Sequence, residues 1–176
     1  VGDMVEVTGL IYTGRDTVHK WLSEGNAPPV DLNNGIIYHC GPVVMKQKGE
    51  RVVTAAGPTT SMREEPYQAG IIEKFHLRAV IGKGGMGEKT RQACKEFGCV
   101  YLHAVGGAAQ VLAEAVKKVE GVDGIEKWGS PEAIWHLRVE GFAAVVTIDA
   151  HGNSLHKDLE VESAARMAVL APVLKK

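Results

Sequence analysis

The chain has 176 residues, enough for one sizeable hydrophobic core and too few for two ordinary domains. Hydrophobic residues make up 45% and charged residues 23%, and the net charge is −1 at pH 7, so no global field draws the chain to nucleic acid or to an anionic membrane surface. Any anion site has to be a local cluster of basic side chains, and no run is long or apolar enough to span a bilayer.

In chain order, Val5–Tyr12 reads as a strand. Thr13-Gly14-Arg15-Asp16 has capping-box spacing, and Val18, Trp21 and Leu22 give the short helix after it one apolar face. Residues 26–34 hold two prolines and form a loop. Ile36–His39 and Arg51–Ala55 are expected strands, with a polar turn near Lys48-Gly49-Glu50. Tyr67, Ile71, Ile72 and Phe75 share a helical face; Leu77–Ile81 is a short buried strand; Glu88–Phe97 is a helix; Cys99–Leu102 is a strand. Ala108, Val111, Leu112, Ala115, Val116 and Val119 have helical spacing and predict the clearest helix of the chain. Ala143–Ile148 is a strand, and Val161–Leu170 is a terminal helix that Pro172 helps to end. The alternation of strand and helix through the middle predicts an α/β fold in a single domain over residues 1–176.

Three cysteines, Cys40, Cys94 and Cys99, are too few and too dispersed for a disulfide scaffold and suit a reducing cytoplasm. Their spacing fits neither a redox pair nor an iron–sulfur run. The chain opens at Val1 in a strand-like run without a secretory-signal pattern, so the natural sequence is expected to extend upstream. His19, His39, His103, His136, His151 and His156 have no metal-ligand spacing and read as structural or surface residues.

Two segments carry chemistry. Gly82-Lys83-Gly84-Gly85-Met86-Gly87 lies between a strand and a helix and formally matches a dinucleotide-binding glycine pattern, but the next strand, ending in Leu102-His103-Ala104, offers no carboxylate for a ribose. It is not a Walker loop, since no Ser or Thr follows Lys83. Glycine backbone, a helix N-terminus and the Lys83 charge still point to anion binding rather than to a plain turn. Gly57-Pro58-Thr59-Thr60-Ser61-Met62-Arg63 places three hydroxyls before an arginine that can clamp a carboxylate; Ser61 and Glu64 also have capping-box spacing, although a cap needs only one hydroxyl. Arg15, at a helix start, opposes the helix dipole and is placed to reach an anion there. A phosphate- or nucleotide-binding module without catalysis is the rival these residues leave open.

Taken in order, Gly2-Asp3, Thr8-Gly9, Thr13-Gly14-Arg15-Asp16 with His19, His39-Cys40-Gly41-Pro42, the G-P-T-T-S-M-R segment, the G-K-G-G-M-G segment and Thr147-Ile148-Asp149 resemble the β subunit of class I fumarate hydratase. The β subunit of L-tartrate dehydratase shares the pattern. The resemblance covers nearly the whole chain and implies a swivelling β/β/α domain. It implies reversible hydration of fumarate to S-malate, with a [4Fe-4S] cluster held by the cysteines of a partner α subunit and no cofactor or metal in this chain. A cytoplasmic, higher hetero-oligomeric enzyme acting on a small dicarboxylate follows, without nucleic-acid or membrane partners. By motif, Thr59 matches the catalytic base, Arg63 and Lys83 match carboxylate-binding residues, Arg15 matches the arginine of a G-R-D motif, and Thr60, Ser61 and Met62 line the same loop. Ser61-Met62 is the pairing common in tartrate dehydratases, which makes tartrate the alternative substrate. A free threonine hydroxyl is too weak an acid to act unaided, so Thr59 needs a nearby cation or a carboxylate from the partner.

Overall fold

A computed structural model of the chain describes residues 1–174. The elements are β1 (Met4–Thr13), α1 (Asp16–Ser23), β2 (Ile36–Tyr38), β3 (Val43–Gln47), β4 (Glu50–Ala55), a 3-10 turn (Ser61–Arg63), α2 (Glu65–Phe75), β5 (Ala79–Gly82), α3 (Glu88–Phe97), β6 (Val100–His103), α4 (Ala109–Glu114), β7 (Val116–Asp123), α5 (Ile125–Trp128), a second 3-10 turn (Ser130–Glu132), β8 (Ile134–Ile148) and α6 (Leu155–Leu174). The fold is α/β with a mixed sheet, as the alternation predicts.

Six strands run in the order β1-β2-β5-β6-β8-β7, and β1 also pairs with β8. β1, β2, β5 and β6 are parallel neighbours, while β8 is antiparallel to β1, β6 and β7. Val145 of β8 faces Met4 of β1 on one side and His103 of β6 on the other, so the sheet closes on itself through this strand. The half of β8 nearer its start lies between β1 and β7. β3 and β4 form a separate hairpin. Its turn residues Lys48 and Gly49 both have positive φ (51° and 89°), which matches the right-handed twist of the flanking strands.

Side chains alternate across the short central strands and divide two cores between the faces of the sheet. Tyr38, Ala79, Ile81 and Leu102 join Leu137, Val139 and Phe142 of β8 and Leu112 of α4. Ile37, Val80 and Tyr101 point the other way, against Val18 and Leu22 of α1, Ile71, Ile72 and Phe75 of α2 and Ala93 and Cys94 of α3. β5 is buried on both faces, which is why Leu77–Ile81 reads as a continuous apolar run rather than an alternating one.

Several readings are corrected. Thr13 caps no helix: it ends β1, donates to the Ala133 carbonyl (3.0 Å) and accepts from the Trp135 amide (2.9 Å), pinning β1 to the start of β8. α1 begins at Asp16 behind Arg15, with no side-chain cap. The run from Ala108 to Val119 is a helix only to Glu114; Val116–Asp123 is β7, because β8 offers an edge to which Val116 and Val119 pair, and β-branched residues suit that surface. The strand read at Ala143 starts at Ile134, and β3 went unread because Val43 and Met45 are exposed and leave no apolar alternation. α6 begins earlier than expected and runs through Pro172.

Phe142 is fully buried and meets Tyr38 edge to face at 5.2 Å. Phe142→Ala is expected to lower the unfolding free energy by about 3–5 kcal/mol, measured by denaturant titration with an unchanged m-value.

Candidate active site

The four parallel strands end along one edge of the sheet, the position where α/β sheets present ligand sites. Beyond those ends come Arg15 after β1, His39-Cys40-Gly41 after β2, Lys83-Gly84 after β5 and Ala104 after β6. The segment from Gly57 to Arg63 is laid across the edge. Pro58 bridges to Cys40, and the Thr59 amide donates to the His39 carbonyl at 2.7 Å. Thr60 bridges to Lys83 in parallel register, and the Ser61 amide donates to the Lys83 carbonyl at 3.0 Å. Segments distant in sequence thus place Arg15, Thr59, Thr60, Met62, Arg63 and Lys83 on one rim, with Ser61 buried beneath it.

Each basic side chain is held from within. Arg15 Nη1 lies 3.2 Å from Glu132 Oε1, and the side chain packs on Gly41, where a Cβ would come within 3.0 Å of Nη1. Arg63 Nε lies 3.4 Å from Asp16 Oδ1 and remains half exposed. Lys83 runs along Gly106, where a Cβ would meet its Cδ at 2.8 Å, and makes no ion pair among the described residues. Thr59 is half-buried and its hydroxyl donates to the His39 carbonyl at 3.3 Å, while Thr60 and Met62 are exposed. Met62, Gly85, Met86 and His156 line an adjoining cleft of ≈ 490 Å³.

Ser61 takes a different part from its neighbours. It is fully buried, and its Oγ lies 2.8 Å from His39 Nδ1, 2.8 Å from the Tyr101 hydroxyl and 3.1 Å from the Lys83 amide. Its hydroxyl therefore joins the two glycine-bearing loops instead of capping a helix. Gly82 is required by this approach: a Cβ there would sit 1.8 Å from Ser61 Oγ. Spacing alone could not separate Ser61 from Thr60, since only burial distinguishes the two.

Behind Ser61 lies a buried chain that sequence reading missed. His19 and His39 are both fully buried, with rings 4.9 Å apart edge to face. One atom of the Gln68 amide lies 3.0 Å from His19 Nε2 and 2.8 Å from His39 Nε2. His19 Nδ1 lies 2.9 Å from the Arg15 carbonyl, which can only accept, so Nδ1 carries the hydrogen. Burial holds both histidines below their ordinary value of 6.5, His39 strongly, so both rings are neutral near pH 7. His19 Nε2 is then an acceptor. The consistent assignment turns the Gln68 NH₂ between the rings, where it donates to both Nε2 atoms. His39 Nδ1–H then donates to Ser61, whose own hydrogen goes to the Tyr101 oxygen, and Tyr101 donates to the Gly84 carbonyl at 3.1 Å.

The N-terminus of α3, read as an anion site, already has its anion. Glu65 accepts from the amides of Gly87 (2.8 Å), Lys89 (3.1 Å) and Thr90 (3.3 Å) and from the Thr90 hydroxyl (2.6 Å). The carboxylate of α2 fills the place a phosphate would take. What the loop leaves for a ligand is Lys83.

Fold and rim together define an α/β domain that presents basic and hydroxyl groups at the ends of its parallel strands. Residues 1–159 match the family model described as Fumarase C-terminus. The chain is 61% identical over 169 residues to a Geobacillus stearothermophilus protein named "Putative fumarate hydratase class I", an alignment covering 96% of this chain and 32% of that relative. It is 40% identical over 157 residues to the L(+)-tartrate dehydratase subunit beta of Escherichia coli, covering 88% of this chain and 78% of the relative. It thus spans about a third of the length of the first relative and most of the second. The chain belongs to the Fumarase C-terminus family.

Two outcomes test the buried chain. Ser61→Ala removes a shared partner of His39, Tyr101 and Lys83 and is expected to cost about 1–3 kcal/mol of stability, measured by equilibrium unfolding. Protonation of His19 and His39 is held off in the folded state but not in the unfolded one, so the unfolded chain binds more protons below pH 6.5. Stability is therefore full above that pH and falls as pH drops through it, by up to about 1.4 kcal/mol per pH unit for each histidine. The histidine ring signals of the folded protein, followed by NMR between pH 7 and 5, should show His39 untitrated.

Proposed function

We propose that this chain is the β part of a class I iron–sulfur hydro-lyase that interconverts fumarate and S-malate. The observation that carries the reading is the gathering of Arg15, Thr59, Arg63 and Lys83, from three separate segments, on one strand-end rim. A dicarboxylate brings two negative charges, and the rim presents three cations that Glu132 and Asp16 neutralise only in part. Removing a proton from the carbon beside a carboxylate develops further charge on that carboxylate. Cations fixed before the reaction stabilise it without reorganising. In this reading Arg63 and Lys83 bind a carboxylate, Arg15 orients the substrate from the α1 side, and Thr60 and Met62 face it from the loop. Thr59 is the base at the substrate carbon. Its hydroxyl is oriented by the His39 carbonyl and depends on the neighbouring cations to lower its cost of ionisation. Ser61, buried beneath the loop, fixes its shape.

The residues of this chain do not fit an iron–sulfur cluster. Cys40, Cys94 and Cys99 are all buried, burial pushes the Cys40 thiol up to about 12, and Cys99 is raised as well by its contact with Cys94. Among the described residues no group of three or more His, Cys, Asp or Glu side chains is arranged to hold a metal. The reading therefore assigns the [4Fe-4S] cluster, a Lewis acid for substrate oxygen, to a partner α subunit or a preceding domain. Supporting this, one relative is about three times longer than the aligned region and others are named as beta subunits. A higher hetero-oligomer belongs to the same proposal. The closed mixed sheet and its helices support a swivelling β/β/α domain over residues 1–176, and the free, buried thiols support a cytoplasmic location.

Tartrate is the second reading for the substrate, favoured by the exposed Met62 next to Ser61 and by identity to named tartrate dehydratase β subunits. Comparing kcat/KM for S-malate, fumarate and L-tartrate in the assembled protein decides between them. Arg63→Ala and Lys83→Ala should each lower kcat/KM by roughly 10²-fold, about 2–3 kcal/mol, as expected when a charged hydrogen bond is lost. Near-normal turnover in either variant would defeat the assignment of the rim.

A further inference from the structure

One buried acid next to the rim has no part in the function so far. Glu64 lies between the 3-10 turn and α2 and is fully buried. Neither of its carboxylate oxygens has a hydrogen-bond partner, and Asp16 Oδ1, also buried, has none either. The Arg63–Asp16 contact at 3.4 Å is an ion pair without hydrogen-bond geometry, so it leaves that oxygen unsatisfied. Glu64 lies within hydrogen-bonding reach of Asp16. Three buried acceptor oxygens thus lack a well-formed hydrogen bond, and a buried ionised carboxylate beside a second one is far costlier than a neutral acid. A single proton supplies the missing donor.

We propose that Glu64 keeps its proton in the folded protein and donates it to Asp16, so that the two side chains act as one singly charged pair that positions Arg63. Burial first, and then Asp16, raise Glu64 to about 8, against opposing pulls from its own backbone amide and then from Arg63. The other titratable groups packed nearby bring no positive charge. His19 on α1 is held neutral by burial, and Tyr101 on β6 is pushed up by burial and further by Glu64 itself. Arg63 is the cation that answers the pair, and Asp16 the acid that holds it. Loss of the shared proton puts a second negative charge in the dry space and draws the Arg63 guanidinium inward, away from the rim. Glu64 is thereby a positioning residue, and its ionisation weakens substrate binding as the solution becomes alkaline.

The kinetic arm rests on the hydro-lyase reading; the spectroscopic arm does not. In the assembled protein, KM for the dicarboxylate should rise by about tenfold per pH unit above pH 8, with kcat changing less. Glu64→Gln retains a donor toward Asp16 and cannot ionise, so its KM should stay level over the same range. Infrared difference spectra between the parent and E64Q should show a protonated carboxyl band at pH 6.5 that disappears through pH 8, and Asp16→Asn should move that loss to lower pH. An E64Q profile parallel to the parent's, or no protonated band at pH 6.5, overturns the proposal. If fumarate, malate and tartrate are all left untouched, the functional reading fails, and the infrared titration still decides the pair.

Discussion

The site depends on the approach of Ser61 to Gly82. A hydroxyl without exposure to solvent receives the Lys83 amide and His39 and lies 2.8 Å from Tyr101. This is possible only because residue 82 has no side chain. Through that point the loop bearing Thr59 and Arg63 is fastened to the strand end bearing Lys83. A mobile surface segment would not hold two cations and a hydroxyl in constant relation. The polar groups that do the fastening are buried and matched, and those left for a ligand are on the rim.

The division between matched interior and unmatched rim explains the histidines. Asp16 and Glu132 pull His19 toward its charged form, but desolvation outweighs them. Burial keeps both rings neutral, and one glutamine amide satisfies both. The same logic assigns Glu65 to the α3 N-terminus, where its carboxylate serves the helix. The backbone amides at the start of this helix are therefore not free for a further anion.

Closure of the sheet sets the frame. β8 runs antiparallel between β1 and β6, leaving the parallel strand ends together at one edge. Tyr38, Leu137 and Phe142 fill the space this encloses, and Thr13 ties β1 to the start of β8. Asp16 and Arg15 follow directly from that anchored strand. The pairing partners of Arg63 and Glu64 are thus placed by the closure and not by any local preference.

Local pattern was enough for elements whose burial has a simple period. Glu88–Phe97 is a helix with the bounds its residues predict, and β5 is the buried strand its apolar run announces. The order of the G-P-T-T-S-M-R and G-K-G-G-M-G segments carried the family resemblance, and the chain belongs to that family. Only the tertiary structure decided that Val116–Asp123 is a strand, because the edge it pairs with lies on residues 134–139. Only the tertiary structure decided that Ser61 is interior while Thr60 is exposed, and that His19, Gln68, His39 and Glu64 form the wall behind the rim. Spacing along a chain encodes which residues share a face of one element. Whether a polar side chain is dry, and what meets it there, depends on contacts between elements that no single segment contains.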